Sequence, residues 1–325
     1  MEIRRAAPED TAAIVGLLEL SLGNASIPKT LALWKWKHES NPFGKSPVFV
    51  AIHGEKLIGV RAFMQWHWQD GKKTYHALRA VDTATHPEWH GRGVFRQLTS
   101  KLVSSSASKG LDFIYNTPNK RSLPGYMSMG WKIKGRLPLK FKLVRPWEIT
   151  KNVIQKKAAD PIRGIAPTDW SEVTEHFPSL SSFPHAVRTN YTPEYLRWRY
   201  LDCPIFEYGY LTDHTSYLLI YRIKTHPFFH ELRITELLPL QKGGAIDLAH
   251  LKLEIKKKVE DELPVHLISY SGENHRFLPI TGFGWGPTLK MGPLVIIRDL
   301  NMGEKLDHLL SPYSTNFSLG DLELF

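Results

Sequence analysis

The residues best suited to chemistry lie in the run Ala84-Thr85-His86-Pro87-Glu88-Trp89-His90-Gly91-Arg92-Gly93-Val94-Phe95. It passes from a strand pattern, through a glycine turn, into a helix pattern. Glycines at 91 and 93 permit backbone shapes that a side chain would forbid. A turn of this kind at a helix start aims several N–H groups and the positive end of the helix dipole at one point. Such a point suits an anion, in particular a phosphate or pyrophosphate. The run has no Gly-Lys-Ser/Thr, so it is not a P-loop. It lacks the third glycine of the dinucleotide fingerprint, and hairpins rather than a βαβ unit precede it, which argues against a dinucleotide fold. Downstream, Asn119, Tyr126 and Gly130-Trp131 follow the next strand at spacings of seven and four.

The elements that must position these residues are legible from pattern. Glu2–Arg5 predicts a short strand. Pro8-Glu9-Asp10-Thr11 opens a helix with Ala12, Ala13, Val15, Leu17, Leu18 and Leu20 on its apolar face, stopped by Gly23-Asn24. A second helix runs from Pro28 to about Glu39. Val48–Ile52 and Leu57–Met64 predict strands around His53-Gly54-Glu55, and Asp70-Gly71 turns a second hairpin into the long strand Tyr75–Thr85. Then come a helix over Val94–Lys109, a strand over Asp112–Tyr115, a short helix over Ser122–Met129 and a closing strand over Leu137–Val144. Hairpins mixed with crossover helices imply an α/β fold whose mixed, mostly antiparallel sheet is flanked by helices.

Composition bounds the function. The chain has 325 residues, 42% of them apolar and 23% charged, a globular balance at a length suited to about two domains. The formal charge of +10 is uneven: residues 1–150 hold 23 Lys+Arg and 11 Asp+Glu, and the remainder hold 19 and 21. The excess fits an anionic ligand in the first half or a solvated basic face there. No recognition segment accompanies it, so nucleic acid is not expected as a partner. No apolar run reaches the ~18 residues of a membrane span, and the first residues show no secretory signal. Cys203 is the one cysteine; it has no disulfide partner and no His or acidic neighbour in a nucleophile motif, and no Cys/His spacing suits a metal. These features predict a cytoplasmic protein without membrane or metal. Trp34, Trp36, Trp66 and Trp68 read as core packing, and Lys256-Lys257-Lys258 as a solvated helix face.

A repeat runs through the chain. Lys35-Trp36-Lys37, with Pro42 five residues on, matches Arg197-Trp198-Arg199 with Pro204, an offset of 162. Asn119–Pro124 matches Asn274–Pro279 at an offset of 155, and Gly130-Trp131 matches Gly284-Trp285 at 154. Three landmarks in one order predict two copies of one fold. A segment between Pro146 and Pro161 reads as a linker, which sets domains at 1–147 and 162–325 with 148–161 between them. Ile162–Ala166 and Pro167-Thr168-Asp169 then parallel the opening strand and helix start.

On these motifs the first half resembles the GNAT superfamily of N-acetyltransferases, and the whole chain resembles its tandem members with a degenerate second copy. The family pattern Gln/Arg-x-x-Gly-x-Gly/Ala falls on His90–Phe95, and the pattern Asn-x6-Tyr-x3-Gly-Phe on Asn119, Tyr126, Gly130 and Trp131. The resemblance implies acetyl-CoA as co-substrate. Backbone at His90, Gly91, Arg92, Gly93, Val94 and Phe95 would hold its pyrophosphate. The strand around Thr83, Ala84 and Thr85 would splay and pair with the pantetheine arm, with Asn119 nearby. Tyr126 would protonate the departing thiolate. His90 departs from the usual Gln or Arg, and Phe95 stands where a small residue is usual, where it would crowd the ligand unless its ring points into the core.

The chemistry then needs a base for the attacking amine; Asp82, on the central strand beside the splay, is the candidate, and its place one residue out of phase with Arg79 and Val81 leaves a structural, core-facing role as the alternative. The second half offers Pro239–Asp247 and Leu278–Gly282 at the corresponding places, without the glycine pattern or a tyrosine, so no second active site is expected. It would instead shape the acceptor cleft. The reading is direct transfer of acetyl from acetyl-CoA to a primary amine of a small-molecule or protein acceptor. A non-catalytic CoA- or acyl-CoA-binding sensor or scaffold is the alternative.

Overall fold

A computed structural model describes every residue except 24–26, 72, 166–169, 172, 174–185, 241–245, 274–285, 312–313 and 323–325. The first half follows the predicted order through its fourth helix: β1 (Glu2–Arg5), α1 (Thr11–Leu22), α2 (Leu31–His38), β2 (Val48–His53), β3 (Lys56–Asp70), β4 (Lys73–Thr85), α3 (Val94–Ala107), β5 (Phe113–Asn116) and α4 (Leu123–Met127); β6 (Lys132–Arg136), a strand the sequence reading did not include, comes next. Helix α1 ends at Gly23, whose φ of 69° only glycine adopts freely. Thr30 caps α2 by accepting from the Leu33 amide at 3.1 Å.

The chain continues through β7 (Leu139–Leu143), α5 (Pro146–Ile154), β8 (Arg188–Thr189), β9 (Gly209–Thr212), β10 (Tyr217–Thr225), β11 (His230–Pro239), α6 (Leu248–Lys257), β12 (Leu267–Ser271), β13 (Leu294–Asp299) and α7 (Lys305–Leu310). Two expectations are corrected here. The linker is helical over Pro146–Ile154, with Pro146 at its first turn, where a missing N–H costs nothing. Residues 162–165 form no strand; Ala166–Asp169 lie outside the described residues.

The strands make two sheets. One has the order β1-β2-β3-β4-β5-β13-β6, with β8 also pairing β3, and the other β7-β12-β11-β10-β9. Each contains one parallel pair, β4 with β5 and β11 with β12. The strand expected to close the first sheet forms as β7 but pairs with β12. Its place between β5 and β6 is taken by β13, from the far end of the chain. Each half thus lends a strand to the other's sheet. Burial is complete at this exchange: Val295, Ile296 and Ile297 of β13 have no exposed surface.

The halves also meet through the repeated tryptophans. Trp36 Nε1 donates to the Trp198 carbonyl at 2.7 Å, and Trp198 Nε1 donates to the Trp36 carbonyl at 2.8 Å. Their rings stack at 4.8 Å. The two bonds are reciprocal, each indole donating to the other tryptophan's carbonyl. The match extends upstream, since Thr192 accepts from the Tyr195 amide at 3.1 Å just as Thr30 does from Leu33. Trp34, Trp36, Trp66 and Trp68 are all buried, as predicted.

Candidate functional site

The glycine turn is shaped by its own residues. Pro87–Trp89 form one turn of 3-10 helix after His86, whose Nδ1 accepts from the Glu88 amide at 3.3 Å. His90 folds back, its Nε2 2.9 Å from the Thr85 carbonyl. Gly91 and Gly93 have φ of 75° and 76°, and Gly93 is the N-cap of α3. No side chain caps that helix and no acidic residue sits in its first turn. The leading amides of α3 are therefore left for an anion or solvent, beside exposed Gly91, Arg92 and Gly93. Arg92 lies over the Trp89 ring at 4.7 Å.

Beside the turn, the central strands part. β4 pairs with β5 only at Ala77–Phe113, Leu78–Ile114 and Arg79–Tyr115. From Ala80 to Thr85, β4 pairs with β3 alone, so its other edge carries no strand. Thr83, Ala84 and Thr85 lie on this stretch. The Thr85 carbonyl is already engaged, by His90 and by Ser21 Oγ at 3.2 Å.

Tyr126 sits on α4, buried to 2% exposure, edge-on to Phe95 (5.3 Å) and Trp131 (5.1 Å). Phe95 leans onto α4 as part of the core under α3, and Gly125 makes the space: a Cβ there would lie 3.1 Å from the Phe95 ring. The bulky residue at the first helical turn therefore points inward, toward α4. Gly130 has φ of 82° and its carbonyl accepts from Arg298 Nη1 of β13 at 2.8 Å, which ties the exchanged strand to the motif. Asn119 works locally: its Oδ1 accepts from the Arg121 and Ser122 amides at 3.0 and 2.9 Å and so fixes the loop entering α4.

Asp82 is placed differently from the expectation. The β3–β4 register shifts between Arg61 and Ala62, leaving Asp82 as the extra residue of a bulge with φ of 30°. Its Oδ2 meets Lys37 Nζ at 2.8 Å and His38 Nε2 at 2.9 Å, both from α2. Burial alone would raise this carboxyl, but the Lys37 ammonium and His38 outweigh it and hold it well below the usual carboxylate range. A carboxylate so held is a poor proton acceptor at neutral pH. The geometry makes Asp82 an anchor between β4 and α2 rather than a base.

Sequence reasoning missed two residues. Gly59 lets α3 lie against β3, because a Cβ there would sit 2.6 Å from Val94 Cγ1; a lone glycine inside a strand run was its only signal. Arg61, facing Tyr126 across the bulge, is 1% exposed, and a charged residue within a strand gives no sign of such burial. In the second half, the glycines of 241–245 and the whole of Asn274–Pro279, Leu278–Gly282 and Gly284-Trp285 lie outside the described residues. Among the described residues, no group of three or more His, Cys, Asp or Glu could hold a metal ion, and no helix is long and apolar enough to cross a membrane. A cavity of about 1010 Å³ opens between the two sheets, reaching from Asn119 and Leu123 to Phe141 and Arg233.

Comparison with known proteins agrees with this geometry. Residues 2–134 match the acetyltransferase (GNAT) domain family. No curated protein matches the chain. Among solved structures, the chain is similar to a GCN5-related N-acetyltransferase from Anabaena variabilis, at 12% identity and a TM-score of 0.64, over 93% of this chain and 73% of that one. A probable N-acyltransferase of unknown function from Enterococcus faecalis gives 12%, 0.63, 94% and 74%. Eis1 from Mycobacterium abscessus gives 13%, 0.60, 94% and 75%. At these identities the structures speak for the fold, and the family match speaks for the first half. It is over residues 2–134 that the chain is similar to the acetyltransferase (GNAT) domain family.

Proposed function

We propose that this chain transfers an acetyl group from acetyl-CoA directly to a primary amine, using one site in the first half. The observation that carries the reading is the parting of β4 from β5 after Arg79 and Tyr115, with the uncapped α3 turn beside it. In this reading, the amides around Gly91–Phe95 hold the pyrophosphate and the free edge of β4 at Thr83–Thr85 pairs with the pantetheine arm. Tyr126 gives its proton to the sulfur as the C–S bond breaks. Most of the rate gain comes from holding donor and acceptor side by side, so Tyr126→Phe should lower rather than abolish turnover. The test is thiol release from acetyl-CoA with a panel of amines. Amine-stimulated release that falls about 10²–10⁴-fold in Tyr126→Phe supports the reading; unchanged release removes Tyr126 from it.

The two halves, in this account, are copies of one fold that exchanged their closing strands, with domain boundaries near 147 and 162. The reciprocal Trp36–Trp198 bonds and the matching Thr30 and Thr192 caps support it. The second half shapes the acceptor cleft. Its described lining includes Lys120, Arg136, Lys224 and Arg233 against Glu231 alone, a balance that disfavours polyamine acceptors and favours neutral or acidic ones. A cytoplasmic setting, suggested by the lone cysteine, belongs to the same reading. The second reading, a CoA-binding sensor, is favoured by one observation: the carboxylate nearest the splay is spent on Lys37 and His38.

A further inference from the structure

Arg61 stands where the proposed chemistry would leave a negative charge. It projects from β3 at the bulge onto the α3 side, and it is 1% exposed. Its guanidinium carbon lies 4.7 Å from the Phe63 ring, 5.4 Å from the Tyr126 ring and 5.9 Å from the Phe95 ring. Nη1 reaches the Val81 carbonyl only at 3.5 Å, and the buried Nε and Nη2 have no partner. An arginine walled by aromatics with donors unspent is costly to fold. Desolvation by burial pulls it below the usual guanidinium range, and the nearby Tyr126 phenol is the neighbour that opposes this most. A cation kept in such a place at such a cost fits a site where an anion appears during the reaction.

We propose that Arg61 is a positioning residue for Tyr126, seated against its ring with donors free to offset the charge the phenol oxygen takes up during transfer. This rests on the acetyltransferase reading above. In the step concerned, the amine nitrogen bonds to the thioester carbon, the C–S bond breaks and sulfur keeps the electron pair. The Tyr126 proton moves to that sulfur, so a phenolate remains beside the guanidinium until solvent reprotonates it. The proton shed by the attacking amine leaves to solvent separately.

The experiment measures CoA thiol release from acetyl-CoA alone, with water as acceptor, for wild type, Arg61→Met, Arg61→Lys, Tyr126→Phe and the double variant Tyr126→Phe/Arg61→Met. Calorimetric titration with CoA and thermal unfolding accompany it. Arg61→Met should lower kcat at least about tenfold while KM and CoA affinity stay within about twofold. Its melting temperature should hold or rise, because a buried unpaired charge is gone. Arg61→Lys should recover part of the rate. In the Tyr126→Phe background, Arg61→Met should cost no more than about twofold, since the partner is already missing. A full, additive loss in that background overturns the proposal, as does a loss confined to KM or to stability. If wild type binds no CoA, the acetyltransferase reading fails first, and this inference falls with it. If wild type binds CoA and turns over while Arg61→Met matches it, the inference alone is refuted.

Discussion

Replacing Gly59 by alanine would test how the fold sets the site. Gly59 pairs with Ala51 on β2 and Thr85 on β4, so β3 is held on both sides and cannot retreat. A Cβ at this position would lie 2.6 Å from Val94 Cγ1 and 2.9 Å from Leu98 Cδ1, both buried side chains of α3. Carbon contacts settle near 3.5–4.0 Å, so the new methyl is too close by about 1 Å to two neighbours at once. Neither neighbour is the loose end of a long side chain, and α3 must lift. Overpacking of this kind costs about 1–3 kcal/mol. The helix that lifts is the one whose first turn completes the glycine turn, so the anion site moves with it. A misplacement of about 1 Å can cost 10²-fold in a positioned reaction, and acetyl-CoA affinity should drop at least about tenfold. Urea unfolding at unchanged m-value reads the first effect and calorimetry the second. Gly16→Ala is the control, since nothing lies within 4 Å of a Cβ there; inside α1 it should stabilise by about 0.5–1 kcal/mol. Gly59→Ala with wild-type stability and affinity would refute the argument that α3 is seated against β3 at this glycine.

Other outcomes follow from the same structure. A fragment of residues 1–147 should fail to fold alone, because β13 is missing from between β5 and β6; a cooperative melt with native near-UV circular dichroism would contradict this. Asp82→Asn should destabilise by about 3–5 kcal/mol by removing the carboxylate that the buried Lys37 ammonium and His38 face, measured by urea unfolding. Since Asp82 is held below its unfolded value, its contribution is present above about pH 4 and lost only in strong acid. The opposite sign applies to the Glu236 carboxyl, pushed up to about 8 by burial and then by Asp321. Its stabilisation is complete below the unfolded value of 4.5 and is lost as pH rises through 8, so melting temperature should fall across that window. Glu236→Gln should flatten the slope; an unchanged slope would show that another group titrates.

Much of the first half was legible because its signals are local. Alternating strands, glycines at turns and the Pro8–Thr11 start of α1 each fix an element without help from distant residues, although α1 buries Ile14, Leu17 and Leu18 and leaves Ala12, Ala13 and Leu20 exposed. The site loop was legible for the same reason: Gly91 and Gly93 stand where φ is positive. Pairing was not. The sequence Leu-Lys-Phe-Lys-Leu of β7 alternates as any half-buried strand does, and nothing in it says which sheet receives it. Helix α5 was hidden between prolines, and it buries none of its residues, leaving Trp147 and Ile154 largely exposed. Asp82 was singled out by its position beside the splay, and the bulge that makes it an extra residue held by Lys37 and His38 leaves no mark in the sequence. Arg61 was passed over because charge usually marks the surface, and only the aromatic enclosure reveals its setting.

The central claim is that the turn at Gly91–Phe95 and the open edge of β4 hold acetyl-CoA. The most direct test is calorimetric titration of the full chain with acetyl-CoA, beside the variant Gly93→Trp, which puts a bulky side chain at a φ of 76°. The account predicts micromolar binding at one site per chain and its loss in the variant. Absence of binding by the wild type, or equal binding by both proteins, would contradict it.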